Sequence, residues 1–327
     1  MEYVQRLFQS VTDIRAEMKY PCNILGCVAR DVQEVDALLE RYFYLFTYRK
    51  DFEPLPRSVI TTDKGWGCLA RASQMLLACA LRRHMALDFS FQYFCDIDDE
   101  RIAPFSLHCM VRSVLRPGED LRPVYWTPSQ GCEAISGCVR RAIHRGALHS
   151  QLRVVVGAAG AIPKHEVNRH LEDSGNALIL VPVRCGTTRR MTQKMFLSLE
   201  HLLLTPMCVG MVGGVPGRCY YIIGTGGQEL LLYLDPHCMT QEALVSCESD
   251  TVGVVRPTPR HLLCVPYDRV DTSFFLGFFV DSFELWEDLQ KKIEGLSRQL
   301  LHRIVSLYSD NLPDPPDSML VEWPTES

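Results

Sequence analysis

Apolar residues recur three and four apart from Leu69 onward, at Leu69, Ala72, Met75, Leu76, Cys79 and Ala80. That spacing draws one apolar stripe along a helix and predicts a helix to about Met85. Val4, Leu7, Phe8, Val11, Ile14 and Met18 repeat the pattern and predict an amphipathic N-terminal helix packed on the body. Further helices are expected over Phe105 to Leu115, Glu133 to Arg145, and Phe196 to Leu204, the last stopping before Pro206. A long one is expected over Phe283 to Ser306, with Leu285, Leu289, Ile293, Leu296, Leu300 and Ile304 on one face.

Strand patterns fill the second half. Asn176 to Arg184, "NALILVPVR", is a continuous apolar run between Gly175 and Gly186 and suits a buried strand. "CYYIIGTGGQELLLYLD" reads as two strands, Cys219–Ile223 and Glu229–Leu234, around a glycine-rich turn. His261 to Tyr267 and Ser273 to Val280 are further strands. Helices come early and strands late, without βαβ alternation, which predicts an α+β fold. Pro54 to Asp63 reads as a loop leading to Gly65, and Pro117-Gly118 as a turn. From Asp310 on, the chain carries four prolines and five acids and is expected to be a disordered tail, residues 310–327.

Composition excludes several classes. With 47% hydrophobic residues over 327 positions, the chain can bury a large core. A net charge of −5 without a basic run argues against a nucleic-acid surface. No apolar run approaches the roughly 20 residues of a membrane span. Glu2, Arg6, Asp13 and Arg15 interrupt any secretory signal, so a cytoplasmic location is expected. The 14 cysteines are scattered and none stands at C-x-x-C spacing, which predicts free thiols rather than a disulfide framework or zinc site. No cofactor is implied.

One cysteine is singled out by its surroundings. In "DKGWGCLARASQ", Cys68 falls where a glycine-broken loop meets a helix start. Helix N-termini lower thiol pKa and can stabilise an oxyanion. The position suits a nucleophile; it equally suits a small buried residue opening a packed helix. A nucleophilic thiol needs a base. Among ten histidines, His84, His144, His149, His165, His170 and His302 lie in polar or arginine-rich stretches typical of solvated faces. His237 differs: it follows an apolar strand, and Asp235 precedes it by two, on the same side of an extended segment. A carboxylate beside an imidazole sets its tautomer and supports its cation. The alternative is a polar turn closing a hairpin strand. Metal chemistry is weakly indicated, because His108-Cys109 and His237-Cys238 are adjacent pairs rather than ligand-spaced ones.

"DKGWGCLARASQMLLACAL", "YLDPHCMTQ", "FTYRKDF" and "VGGVPGRCYYIIG" together, in a match that extends in order from about Tyr42 to Trp286, resemble the autophagy cysteine proteases, the autophagins. The resemblance implies a papain-like fold over residues 1–309, with a small auxiliary subdomain within 86–175. It implies an endopeptidase that cuts a ubiquitin-like autophagy modifier of the GABARAP-like class after a glycine near its C-terminus. It also implies release of that modifier from phosphatidylethanolamine. By motif, Cys68 becomes the nucleophile, His237 the base, Asp235 its orienter and Tyr48 an oxyanion donor, where Tyr48 would otherwise be one more core aromatic. Val215, Pro216, Gly217 and Arg218 fall on the family's regulatory loop, three glycines around one proline reading as a loop with loose flanks over Cys68.

The chain departs from the family pattern in three places. Tyr125-Trp126-Thr127-Pro128 stands where the family has tryptophan-tyrosine-glycine-proline, so the cover over the substrate glycine falls to Tyr125 or to a shifted Trp126. Trp323 is followed three places on by Glu326, not by the aliphatic residue of the family's docking motif. Leu148 to Gly175 has no counterpart that can be matched. Two other readings compete: a non-catalytic module that grips the modifier, and a cysteine hydrolase for another ubiquitin-like protein. Intact Cys68, Asp235 and His237 favour an enzyme over the former.

Overall fold

The computed structural model describes residues 19–85, 89–148, 152–185, 190–227, 229–245, 255–298 and 302–309. The expected N-terminal helix, the 310–327 tail and the Trp323 segment lie outside these residues.

A nine-stranded sheet forms the frame, in the order Leu262–Pro266, Leu230–Leu234, Arg218–Gly226, Cys208–Val215, Ser273–Val280, Ala177–Arg184 and Val154–Val156. Cys22–Ile24 branches from Arg218–Gly226 and carries Cys27–Ala29. Pairing along the path is antiparallel except between Val154–Val156 and Ala177–Arg184. Two interior strands, Ser273–Val280 and Ala177–Arg184, are buried on nearly every residue, which is why they read as unbroken apolar runs. With helices grouped against this sheet, the chain is an α+β protein of the papain-like type.

The helix Cys68–His84 lies at the centre. Every residue from Cys68 to Leu81 is buried, including Arg71, Ser73 and Gln74. The sequence stripe marked one face, whereas the structure covers all of them, as befits a helix enclosed in a core. The helix Pro128–His144 crosses it closely at Gly131. A Cβ there would meet Leu69 Cδ2 at 2.6 Å and Phe275 Cε1 at 2.8 Å.

Several helices begin elsewhere than periodicity suggests, two of them earlier and Leu107–Val114 two residues later than Phe105, because caps set their starts. Thr127 accepts from Gln130 N and Gln130 answers at the Thr127 N–H, a capping box that moves the expected Glu133 start to Pro128. Ser106 caps Leu107–Val114, and Thr192 caps Gln193–Leu203. The helices Val32–Tyr42 and Lys164–Ser174 were not anticipated; Asp31, accepting from Glu34 N, marks the first.

Three expectations are corrected. The long C-terminal helix is described over Phe283–Arg298 and does not continue to Ser306, since residues 302–306 are not helical. Leu300 lies outside the described residues, Ile304 is buried but not helical, and Ser306–Tyr308 pairs in parallel with Ala161–Pro163. The glycines before Cys219 are not loose flanks: Gly213 and Gly214 belong to the strand Cys208–Val215. They are small because neighbours crowd them. A Cβ on Gly213 would meet Phe274 Cβ at 2.6 Å, and one on Gly214 would collide with the Arg218 carbonyl oxygen. The loop shrinks to a two-residue hairpin turn, Pro216-Gly217, with Val215 paired to Arg218 and Gly217 at φ +81°. Lastly, His84 is not solvated. It stacks on Phe279 with ring centroids 4.4 Å apart, and burial followed by the charge of Arg83 pushes its pKa down to about 4.

Candidate active site

Cys68 is the first residue of the central helix, 1% exposed, with Gly67 as its cap. Gly67 brings no side-chain cap and the first turn holds no acid, so no other anion competes for its N–H groups. Gly67 itself has no space for a side chain: a Cβ would stand 2.6 Å from Asp63 Cβ.

His237 follows the strand Leu230–Leu234. Asp235 Oδ1 accepts both from its Nδ1, at 2.6 Å, and from its backbone N–H, at 2.9 Å. One oxygen thereby fixes the ring's tautomer and the turn that carries it, since the proton on Nδ1 leaves Nε2 as the acceptor. Nε2 is buried and has no hydrogen bond of regular geometry. The Cys68 thiol is its electrostatic partner, and each group draws the other toward its charged form.

Tyr48 reaches the same point from the other side. Its ring stands edge-on to His237 at 5.2 Å and 87°. Its backbone N–H donates to the Pro236 carbonyl at 3.1 Å, and Tyr48–Lys50 pairs in parallel with Thr240–Glu242. Two chain segments nearly 200 residues apart are thus locked together around the imidazole. Tyr220, stacked on Tyr233 at 4.2 Å, closes another side, edge-on to His237 at 5.9 Å.

The proton affinities follow from these contacts. Burial alone pushes the Cys68 thiol up; the hydrogen bond and charge of His237 outweigh it, helped by the Cys219 backbone N–H and the Tyr48 hydroxyl, and the net shift is downward. Burial likewise pulls His237 down, but Asp235 and Cys68 reverse it and raise the imidazole to about 9. Tyr48 is pushed far up, first by burial and then by Cys68, so its hydroxyl stays protonated and can donate. Cys219 is also pushed up, by burial and by the charge of Cys68, so only one of these neighbouring thiols ionises. The arrangement can hold a thiolate beside an imidazolium and offer donors to a developing oxyanion.

A cleft of about 270 Å³ opens on Cys68. Tyr125, Trp126 and the hairpin tip Val215, Pro216, Gly217 and Arg218 line it. Trp126 is a wall, 7% exposed, while Tyr125 is 58% exposed at the mouth. Cys68, Tyr48, Asp235, His237, Tyr125, Trp126 and the Val215–Arg218 turn therefore gather around the thiol. Sequence reasoning missed Cys219, Tyr220 and Asp63, whose contributions come from a strand backbone, a ring edge and a buried carboxylate. Among the described residues, no three His, Cys, Asp or Glu side chains are grouped to hold a metal ion.

A fold of this kind with a thiol at the start of its central helix defines a cysteine peptidase, and the comparisons bear on which. The family model described as the peptidase C54 catalytic domain matches residues 39–292, and the chain belongs to that family of autophagy cysteine proteases. It is 28% identical to the "Cysteine protease ATG4B" of Gallus gallus, over 86% of this chain and 82% of that one. It is 27% identical to the "Cysteine protease ATG4B" of Xenopus laevis, over 77% and 73%. It is also 27% identical to the "Probable cysteine protease ATG4" of Scheffersomyces stipitis, over 74% of this chain but 46% of that longer one.

Proposed function

We propose that this cysteine protease cleaves a ubiquitin-like autophagy modifier of the GABARAP-like class after a glycine near its C-terminus, and releases the same modifier from phosphatidylethanolamine. The observation that carries the reading is the Cys68 thiol at the uncapped helix start, next to an imidazole held by Asp235. Cys68 Sγ attacks the glycine carbonyl. The tetrahedral oxyanion takes hydrogen bonds from the Tyr48 hydroxyl and the first-turn N–H groups. His237 passes its proton to the leaving nitrogen, the C–N bond breaks, and a thioester remains on Cys68. Water, deprotonated by His237, then hydrolyses the thioester and restores the thiol. Peptide and phosphatidylethanolamine amides present the same C–N bond to this sequence of steps.

Tyr125, exposed at the mouth, is suited to close over the substrate glycine, with Trp126 as the wall behind it. The Val215–Arg218 turn acts as a gate that an incoming modifier displaces. We place the enzyme in the cytoplasm, where its thiols stay reduced; all the described cysteines are free, and no described helix is long and apolar enough to cross a membrane. The test is incubation with a modifier extended beyond its C-terminal glycine, with and without iodoacetamide. Cleavage at the glycine, abolished by alkylation, is expected. Intact modifier after treatment with fully reduced protein, or cleavage indifferent to alkylation, would refute the proposal.

A further inference from the structure

Below the nucleophile lies a buried charge cluster that the reaction steps do not use. Asp63, Arg71, Asp96 and Arg49 are each at most 1% exposed. Asp63 Oδ2 accepts from Arg71 Nε at 2.6 Å, and Arg71 Nη1 lies 2.9 Å from Asp96 Oδ1 and donates to Gln74 Oε1 at 3.1 Å. Asp63 Oδ1 accepts from the Arg49 backbone N–H at 2.6 Å. The Asp63 carbonyl accepts from Trp66 N at 3.2 Å and from Gly67 N at 2.9 Å. Asp96 Oδ2 accepts from Leu244 N at 3.0 Å, and Arg49 Nη1 donates to the Glu242 carbonyl at 3.2 Å.

These partners are not scattered. Gly67 is the residue before Cys68, and Arg71 sits one helical turn beyond it. Arg49 follows Tyr48. Glu242 and Leu244 end the segment that begins at His237 and is paired, at Thr240–Glu242, with Tyr48–Lys50. The cluster therefore ties together the three stretches of chain that carry the thiol, the tyrosine and the imidazole. It is an expensive way to build a core: buried ion pairs seldom stabilise more than well-packed apolar residues, and here Arg49 Nε and Nη2 and Arg71 Nη2 are left without hydrogen bonds. What a network of this kind supplies is fixed geometry.

We infer that Asp63 and Arg71 are positioning residues, which hold the Gly67-Cys68 turn in register with Tyr48 and His237. The inference rests on the reading of Cys68 as nucleophile. Asp63 clamps the turn from outside through its carbonyl and the helix from inside through its carboxylate; the planar fork of Arg71 alone spans Asp63 and Asp96 together. A single-point ammonium cannot reproduce that span.

The test compares Asp63→Asn, Arg71→Lys and Cys68→Ala in the full chain, using a ubiquitin-like modifier with a C-terminal extension as substrate and iodoacetamide as thiol probe. For soluble protein with wild-type circular dichroism, Arg71→Lys is expected to lower kcat at least tenfold with KM within about twofold. The pH midpoint of Cys68 alkylation should move upward in both variants. Wild-type kcat and an unmoved alkylation midpoint in folded Arg71→Lys would overturn the inference. Asp63→Asn can fail to fold; Arg71→Lys, which keeps charge and most of the volume, then decides alone. Failure of both variants to give folded protein would also count against positioning and assign the cluster to stability. Normal turnover by Cys68→Ala would overturn the underlying nucleophile reading instead, so the two failures are distinguishable.

Discussion

Tyr48 stands edge-on to His237, ring centroids 5.2 Å apart and planes at 87°, with its backbone N–H bonded to the carbonyl of Pro236 beside that histidine. The tyrosine is thus fixed to the same turn as the base, and its hydroxyl reaches the Cys68 thiol. Tyr48→Phe keeps the ring, the edge contact and the backbone bond while removing one donor. We expect kcat to fall roughly 10²- to 10³-fold, the scale for an oxyanion donor, with little change in melting temperature. Single-turnover kinetics with an extended modifier check this; wild-type kcat would remove Tyr48 from the oxyanion site.

The shifted proton affinities predict a pH dependence. The imidazole is raised from about 6.5 to about 9, so its stabilising interactions are fully present below about 6.5 and are lost as pH rises through 9. The thiol is lowered, so its stabilising contribution has the opposite sign: it is present above the ordinary thiol range and is lost as pH falls through the lowered value. The ion pair therefore exists from below the usual thiol range up to about 9. Iodoacetamide should react with Cys68 well below pH 8.5, and His237→Ala should move that midpoint upward. An identical alkylation profile in wild type and His237→Ala would mean that the two groups do not interact.

Asp235 acts through His237. Asp235→Asn keeps shape and one acceptor oxygen but removes the charge that raises the imidazole, and puts an amide donor where the second carboxylate oxygen stood. A loss in kcat of about 10³- to 10⁴-fold is expected, less complete than for Cys68→Ala. The kcat–pH profile of the residual activity should have its basic limb well below 9; an unchanged limb would argue that another group supports the histidine.

How far the sequence reveals this site depends on the kind of residue. Cys68 and His237 are marked by local grammar, a glycine-broken helix start and a carboxylate two residues before a histidine, although each pattern alone fits a structural role as well. Tyr48, Tyr125, Trp126 and the hairpin tip become recognisable through resemblance, because an aromatic or a glycine has several uses. Asp63 and Arg71 give no local sign, since the network they belong to closes through Asp96, which pairs with Arg71 and accepts from the remote Leu244 N–H. Helix starts were misplaced where caps rather than periodicity decide, as at Thr127-Pro128-Ser129-Gln130. The strand Cys208–Val215 is hidden because Gly213 and Gly214 read as flexibility; in the folded chain they are close contacts.

That last point has its own consequence. A Cβ on Gly214 would collide with the Arg218 carbonyl, a backbone atom that cannot turn aside without opening the hairpin. Gly214→Ala should cost about 1–3 kcal/mol, the range for an overpacked site. It should also raise the rate at which small alkylators reach Cys68, because the displaced tip lines the same cleft. Pro216→Ala, which relaxes the turn alone, should speed alkylation with little loss of stability. Equal alkylation rates in wild type and both variants would show that the tip does not gate the thiol.

The central claim is that Cys68 is acylated by the C-terminal glycine of a ubiquitin-like modifier. It is tested most directly by a modifier whose C-terminal glycine carries a thiol-reactive electrophile, followed by intact-mass measurement and peptide mapping. The account predicts a single adduct of one modifier per chain, mapped to Cys68, slowed strongly by His237→Ala and absent in Cys68→Ala. An adduct on any other cysteine, or none on the reduced wild-type protein, would contradict it.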